Sequence, residues 1–155
     1  MALVLKINYY HMKENTLFQG EQVCKLIPQR EPIIRLDAFF EGSETHAVTG
    51  LTIQSDNLFN QAGKFTEPGL IEHIAQSASA LAGYTAYCKQ HEAPVGYIGE
   101  IKKFRIFRCP DVGEELRTTI QVLSEVMQVS LVSAETKSGE ETIATCQMKI
   151  FIKKT

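Results

Sequence analysis

No stretch of the chain approaches the run of about 18 apolar residues that a membrane-crossing helix needs, so no span is expected among its 155 residues. Charge of one sign is not in excess either. Sixteen Lys and Arg against eighteen Asp and Glu leave a formal charge of −2, which gives no global field for nucleic acid. Cysteine is sparse. Cys24, Cys88, Cys109 and Cys146 show no C-x-x-C spacing, which argues against a zinc site and for thiols that pack as small apolar groups in a reducing cytoplasm. The opening MALVLKINYYHMKEN has no basic residue ahead of its apolar start and no cleavage site, so no signal peptide is expected. Internal repeats, low-complexity tracts and linkers are absent. One domain over 21–155 is expected, behind an arm or strand (1–20) whose structure the pattern does not define.

What is present is ordinary globular patterning. Val23, Leu26 and Ile27 stand at helical spacing in GEQVCKLIPQREP, and Pro28 should stop that helix after about two turns. IIRLDAFFEG and THAVTGLTIQ, joined by turn chemistry, predict a hairpin, and SDNLFNQAGKF a loop. Four further strands are expected. VGYIGEIKKFRIFR is long enough to need a bulge near Gly99. In EELRTTIQVLSE, residues Leu116, Thr118, Ile120 and Val122 share a face. MQVSLVSAET groups Met127, Val129 and Leu131, and TIATCQMKIFIKK groups Ala144, Cys146, Met148, Ile150 and Ile152. The last three should form an antiparallel meander.

Between the two β regions lies one long helix, expected over about 67–90. Thr66 suits the N-cap, Glu67 the positive dipole end and Pro68 the first turn. Leu70, Ile74, Ala78 and Leu81 form its apolar row. Ala75, Ser77, Ala80, Ala82 and Gly83 around that row let neighbours approach closely on several sides. A single helix must cover the apolar face of a large sheet, so the sheet must curl around it. The fold class is α+β, with a curved, mainly antiparallel sheet wrapped on one central helix.

Three segments carry a family resemblance. LIPQREPIIRLD resembles the pattern L-P-H-R-x-P-x-x-L-x-D, and GLIEHIAQSASALAG resembles a central-helix motif in which Glu is followed by Ala-Gln at three and four residues. IGEIKKFRIFRCPDVGEEL resembles a later strand that reaches P-x-x-P-G-D-x-L. Together they resemble the hotdog-fold β-hydroxyacyl-(acyl carrier protein) dehydratases, over about 23–152. Typical members carry G-H-F-P-G before the helix. Here Gly63-Lys64-Phe65 has no histidine, and the chain looks more like a divergent branch associated with aryl-polyene or flexirubin pigments.

The resemblance implies dehydration of a carrier-bound β-hydroxyacyl thioester in fatty-acid or polyene synthesis, without cofactor or metal, the substrate riding on phosphopantetheine. It puts acid/base chemistry on Glu72. Gln76, one helical turn on, shares its face and could orient the carboxyl. First-turn N–H groups around Gly69 and Leu70 are natural donors to the thioester oxygen, and Gly69 would let substrate approach. Lys64 and Phe65 fall beside the substrate, with Lys64 as a solvated or phosphopantetheine-contacting group. Glu72 could also serve both steps, taking a proton and returning it. His73 adjoins Glu72 but points about 100° away. His46 is expected on a strand, and His11 and His91 at the surface. The run Lys102, Lys103, Arg105 and Arg108 could dock an acidic acyl carrier protein, or be the charged outer face of a strand. Active relatives build their sites at dimer interfaces, implying a homodimer, a higher homo-oligomer or a heterodimer with a related subunit. Two other functions compete: a carrier-binding subunit that has lost catalysis, and a hotdog thioesterase in which Asp56 or Glu72 activates water.

Overall fold

The computed structural model describes residues 16–153. Expectations for residues 1–15, including His11, lie outside them. Strand β1 (Phe18–Gln19) leads into a short 3-10 helix (Gly20–Lys25), then β2 (Ala38–Gly42) and β3 (His46–Thr52). A small hairpin of β4 (Asn60–Gln61) and β5 (Lys64–Phe65) precedes the helix α1 (Glu67–Cys88). After it come β6 (Val95–Ile106), β7 (Glu115–Val126), β8 (Val129–Ser138) and β9 (Glu141–Lys153). Seven strands form one antiparallel sheet in the order β1-β2-β3-β7-β8-β9-β6, with α1 lying on its concave side. This is the hotdog arrangement.

The expected hairpin is β2–β3, and the meander is β7–β8–β9. Gly99 sits at a register shift between Ile98 and Glu100, so the long strand bulges there. The two-turn helix before Pro28 is instead a 3-10 segment. Arg30 closes its end by donating to the carbonyls of Ile27 (2.7 Å) and Cys24 (3.2 Å). The loop before α1 holds the β4–β5 hairpin, which periodicity does not reveal at two residues per strand.

One face was expected wrongly. Val132, Ala134 and Thr136 of β8 turn inward, while Leu131 is half-exposed and Met127 lies 93% exposed at the β7–β8 turn. The inward face carries hydroxyls because the helix brings polar groups to meet it. Thr49, Thr118 and Thr136 sit side by side across β3, β7 and β8, all fully buried. His73 and Ser77 of α1 face this row. Ser77 Oγ donates to the His73 carbonyl (2.7 Å), so Thr49 donates to Ser77 (2.7 Å). Such a seam is tolerated in a core only because its members satisfy one another. It also sets the rotation of α1, and so decides which helical residues are left to face away from the sheet.

Candidate active site

His73 cannot serve as a base. Its Nδ1 lies 2.7 Å from the Arg35 carbonyl, an acceptor only, so Nδ1 carries the hydrogen. Nε2 therefore accepts from Thr118 (2.8 Å), and Thr118 in turn accepts from Thr136 (2.7 Å). Full burial pushes the imidazole down to about 4, despite its bond to the Arg35 carbonyl, and it stays neutral.

That bond has a second effect. Gln76, also fully buried, accepts the Arg35 N–H on Oε1 (2.6 Å). Its Nε2 donates to the Ile33 carbonyl (3.0 Å) and to Glu72 Oε1 (2.8 Å). Two helical side chains thus grip both backbone groups of residue 35 and dock the segment that follows the 30–33 turn against α1. The same Gln76 amide, its orientation determined by these three bonds, steers the Glu72 carboxyl. Glu72 is half-buried, and among the described residues no hydrogen bond reaches its Oε2. A carboxyl with one oxygen anchored and the other open can transfer protons from a fixed position.

The other expected site residues fall elsewhere. Lys64 pairs with Asp111 at the surface (2.6 Å). Phe65 and Leu70 are wholly buried core side chains, packed with Leu51, Ile53 and Leu116. The Leu70 N–H closes the first helical bond, onto Thr66 O (3.0 Å), which leaves the N–H groups of Glu67 and Gly69 ahead of the ladder, Pro68 having none. The space beside Gly69 is not open. A side chain there would come within 2.7 Å of both Phe59 and Phe65. Thr66 occupies the N-cap, but its hydroxyl donates to Phe59 O (2.6 Å) and ties that loop to the helix start.

The basic run divides. Lys103 and Arg105 stand exposed on the outer face, where with Thr119, Gln121 and Gln147 they line a shallow cavity of about 540 Å³. Lys102 approaches Glu100 (3.9 Å). Arg108 is a clamp: it donates to Glu114 (2.8 and 2.6 Å) and to Glu141 (2.9 to 3.0 Å), tying the loop after β6 to the start of β9. Those bonds hold Glu114 down at about 2. A second outer-face cavity, of about 720 Å³, includes Asp37, Arg117 and Glu115. Glu72 and Gln76 line neither cavity, so no acyl tunnel is enclosed by these two.

Burial raises Asp37 to about 6, against the bond it accepts from the Thr52 N–H (2.7 Å). The pH dependence of stability follows. Between about 4 and 6.5 the unfolded chain protonates His73 and the fold does not, so this group's contribution is lost as pH falls. Asp37 acts oppositely: over about 4 to 6 the fold holds a proton that the unfolded chain has released, so its contribution is lost as pH rises. The two slopes offset. Asp37→Asn should expose the His73 slope, up to about 1.4 kcal/mol per pH unit between roughly pH 6 and 4. Urea unfolding across that range is the measurement, and an unchanged profile would contradict the assignment.

A family model described as ApeP dehydratase, of the ApeP-like family, matches residues 21–155. The chain belongs to the ApeP-like dehydratase family. The dehydratase is also 23% identical over 143 residues to the 3-hydroxyacyl-[acyl-carrier-protein] dehydratase FabZ of Lactiplantibacillus plantarum, covering 88% of this chain and 95% of that one. Among solved structures it is similar to the dehydratase heterocomplex ApeI:P of Xenorhabdus doucetiae, with a TM-score of 0.79, 17% identity, and coverage of 86% and 91%. A hypothetical thioesterase of Streptococcus pneumoniae TIGR4, solved with coenzyme A, has a TM-score of 0.61 at 9% identity, covering 74% and 84%. These two structural likenesses support the hotdog fold. Sequence reasoning missed the grip on residue 35 in this dehydratase, although Gln76 one turn after Glu72 was its visible half.

Proposed function

We propose that the protein dehydrates a β-hydroxyacyl thioester borne on an acyl carrier protein, with Glu72 as the group that moves the proton. The observation that carries this is the Glu72 carboxyl, anchored through Oε1 by Gln76 and open at Oε2. Ionised Oε2 takes the proton from Cα, and the C–H electrons become the Cα=Cβ bond. The Cβ–O bond breaks, and the departing hydroxide takes the proton back from Oε2 and leaves as water. Glu72 ends ionised, as it began. We assign the Gly69 N–H, which lies ahead of the helical ladder, as the donor to the thioester oxygen while it gains charge. This sequence needs neither a loop histidine nor a cofactor.

The site is completed by a second chain. β6 ends the sheet, and it exposes Val95 (50%), Tyr97 (60%) and Ile98 (42%), joined by Phe151 of β9 (47%). Ile71, Ala75, Ser79 and Ala82 leave a half-buried stripe along the side of α1 near Glu72. A partner pairing along β6 would cover both and close an acyl channel. A homodimer satisfies this. So does a heterodimer with a related subunit, the reading favoured by the likeness to the ApeI:P heterocomplex, and there the present chain could bind carrier without catalysing. Lys103 and Arg105 supply the face for an acidic carrier, and the four unbridged cysteines fit a cytoplasmic location.

The test is incubation with a β-hydroxyacyl-carrier substrate followed by mass spectrometry. Loss of water supports the proposal, release of free acid indicates thioester hydrolysis, and binding without mass change indicates a non-catalytic subunit. If Lys103 and Arg105 dock the carrier, replacing both with Ala should weaken carrier affinity several-fold at low salt and flatten its salt dependence. An unchanged affinity would make them only a solvated strand face.

A further inference from the structure

Glu72 and His73 are neighbours in the chain, and both are bonded to the same piece of backbone. Glu72 is tied to it through Gln76, whose amide takes the Arg35 N–H on Oε1 and gives its own N–H groups to the Ile33 carbonyl and to Glu72 Oε1. His73 is tied to it directly, through Nδ1–H and the Arg35 carbonyl (2.7 Å). That piece is braced within itself. The guanidinium of Arg35, only 7% exposed, donates to the carbonyls of Pro32 (2.6 Å) and Ile34, and the Ile33 N–H donates to the Arg30 carbonyl (3.0 Å). Residues 30–35 therefore shift as one, and whatever holds the Arg35 carbonyl also holds the two backbone groups that Gln76 needs. On its far side the His73 ring accepts from Thr118 (2.8 Å), which accepts from Thr136 (2.7 Å). A run of hydrogen bonds thus leads from β8 and β7 through His73 and residue 35 to Gln76, and ends on the Glu72 carboxyl.

We propose that His73 is a positioning residue for the reaction: acting through the backbone of residue 35, it sets which way the Gln76 amide faces, and so holds the Glu72 carboxyl in place for proton transfer. The inference rests on Glu72 being the group that moves the proton. Its physical basis is that an amide has two unlike ends. With the Arg35 N–H at Oε1, the NH₂ end is turned to Glu72 and donates to it. If residues 33 and 35 move off, neither end is fixed, and the flipped amide sets oxygen against oxygen. The carboxyl then loses its anchor, and a displacement of about 1 Å can cost on the order of a hundredfold in rate.

Filling space does not account for this residue. Leucine would occupy the position with no polar atom to satisfy, whereas a fully buried imidazole needs a partner at each nitrogen. One partner comes from the sheet, and the other from the segment that aligns Gln76.

Two substitutions separate positioning from packing, because asparagine puts its amide near the Nδ1 position of histidine and glutamine near the Nε2 position. His73→Asn can keep the bond to the Arg35 carbonyl and gives up the one to Thr118. His73→Gln can keep Thr118 and gives up Arg35. Thr49→Val, which removes the seam's bond to Ser77 and has no path to residue 35, is the control. Each is checked for folding by circular dichroism, and kcat and KM are measured on a β-hydroxyacyl-carrier substrate. His73→Gln should lose about 10–100-fold in kcat, with KM within about twofold of wild type. His73→Asn should recover most of that loss, and Thr49→Val should stay within about twofold of wild type. A folded His73→Gln with wild-type kcat would overturn the proposal, and so would a deeper loss in His73→Asn than in His73→Gln. If His73→Gln does not fold, His73→Asn decides, and a loss beyond about a hundredfold there would overturn it. The side-chain amide signals of Gln76 in nitrogen-15 NMR spectra, assigned by their loss in Gln76→Glu, test the link without turnover. They should move in His73→Gln and stay near wild type in His73→Asn. An inactive wild type would remove the reaction assignment alone, whereas unmoved Gln76 signals in His73→Gln would remove the positioning role.

Discussion

Replacing Glu72 with Gln should leave a folded protein that no longer releases water, with kcat lowered by roughly 10²–10⁴-fold. The substitution is close to isosteric. A glutamine at 72 can still accept the Gln76 N–H through its amide oxygen, so the local bonding can persist. What disappears is the open oxygen able to take and return a proton. The measurement is single-turnover conversion of a β-hydroxyacyl-carrier substrate, read by mass, beside a melting curve. Turnover within two-fold of wild type in a normally folded variant would remove this carboxyl from the chemistry. Gln76→Ala should be milder on kcat yet costly to the fold. It leaves the Arg35 N–H and the Ile33 carbonyl without their partner, and buried groups left unmet cost about 1–3 kcal/mol each.

Gly83→Ala should be among the most destabilising single-methyl additions available, although helix propensity argues the other way. In an exposed helix the change would stabilise by about 1 kcal/mol. Here a β-carbon would lie 1.8 Å from the carbonyl oxygen of Leu26 and 2.7 Å from its carbonyl carbon. The obstacle is backbone on both sides, so no rotamer change relieves it, and α1 or the 26–37 segment must move. A net loss of about 3 kcal/mol, at the upper end for overpacking, is expected. Chemical denaturation checks it, with Ser79→Ala on the open stripe as a control expected within about 0.5 kcal/mol. Equal stability of Gly83→Ala and wild type would mean that helix and segment are not in this contact. The same displacement would carry residues 33 and 35 off Gln76, so activity should fall with stability.

These contacts mark where sequence reading reached and where it stopped. Small residues along α1 predicted close approach, and the structure gives each a specific neighbour: Gly83 meets Leu26 O, and Gly69 meets Phe59 and Phe65. Phe65 was expected beside the substrate and Leu70 to offer its N–H there; both side chains are buried in the core and the Leu70 N–H is taken by Thr66 O, because the first turn of α1 packs down onto Leu51, Ile53 and Leu116. Arg108 read as part of a basic patch. Its fork instead meets Glu114 and Glu141, 6 and 33 residues away along the chain, and no local pattern encodes the second. For β8, alternation chose the wrong face, since Thr136 and Ser130 look solvent-facing until His73 and Ser77 supply the polar seam that Thr136 joins.

The amino-acid order alone determined the succession of the longer elements, the single small-sided helix, the bulge at Gly99 and the pairing of Glu72 with Gln76. Each of these depends on residues within a few positions of one another, through helical period, strand alternation or turn chemistry. Strand order, the burial of His73 and of Arg35, and the Arg108 clamp were decided only by the tertiary structure. They join groups dozens of residues apart, and their polarity is explained only by the partner that folding brings to them.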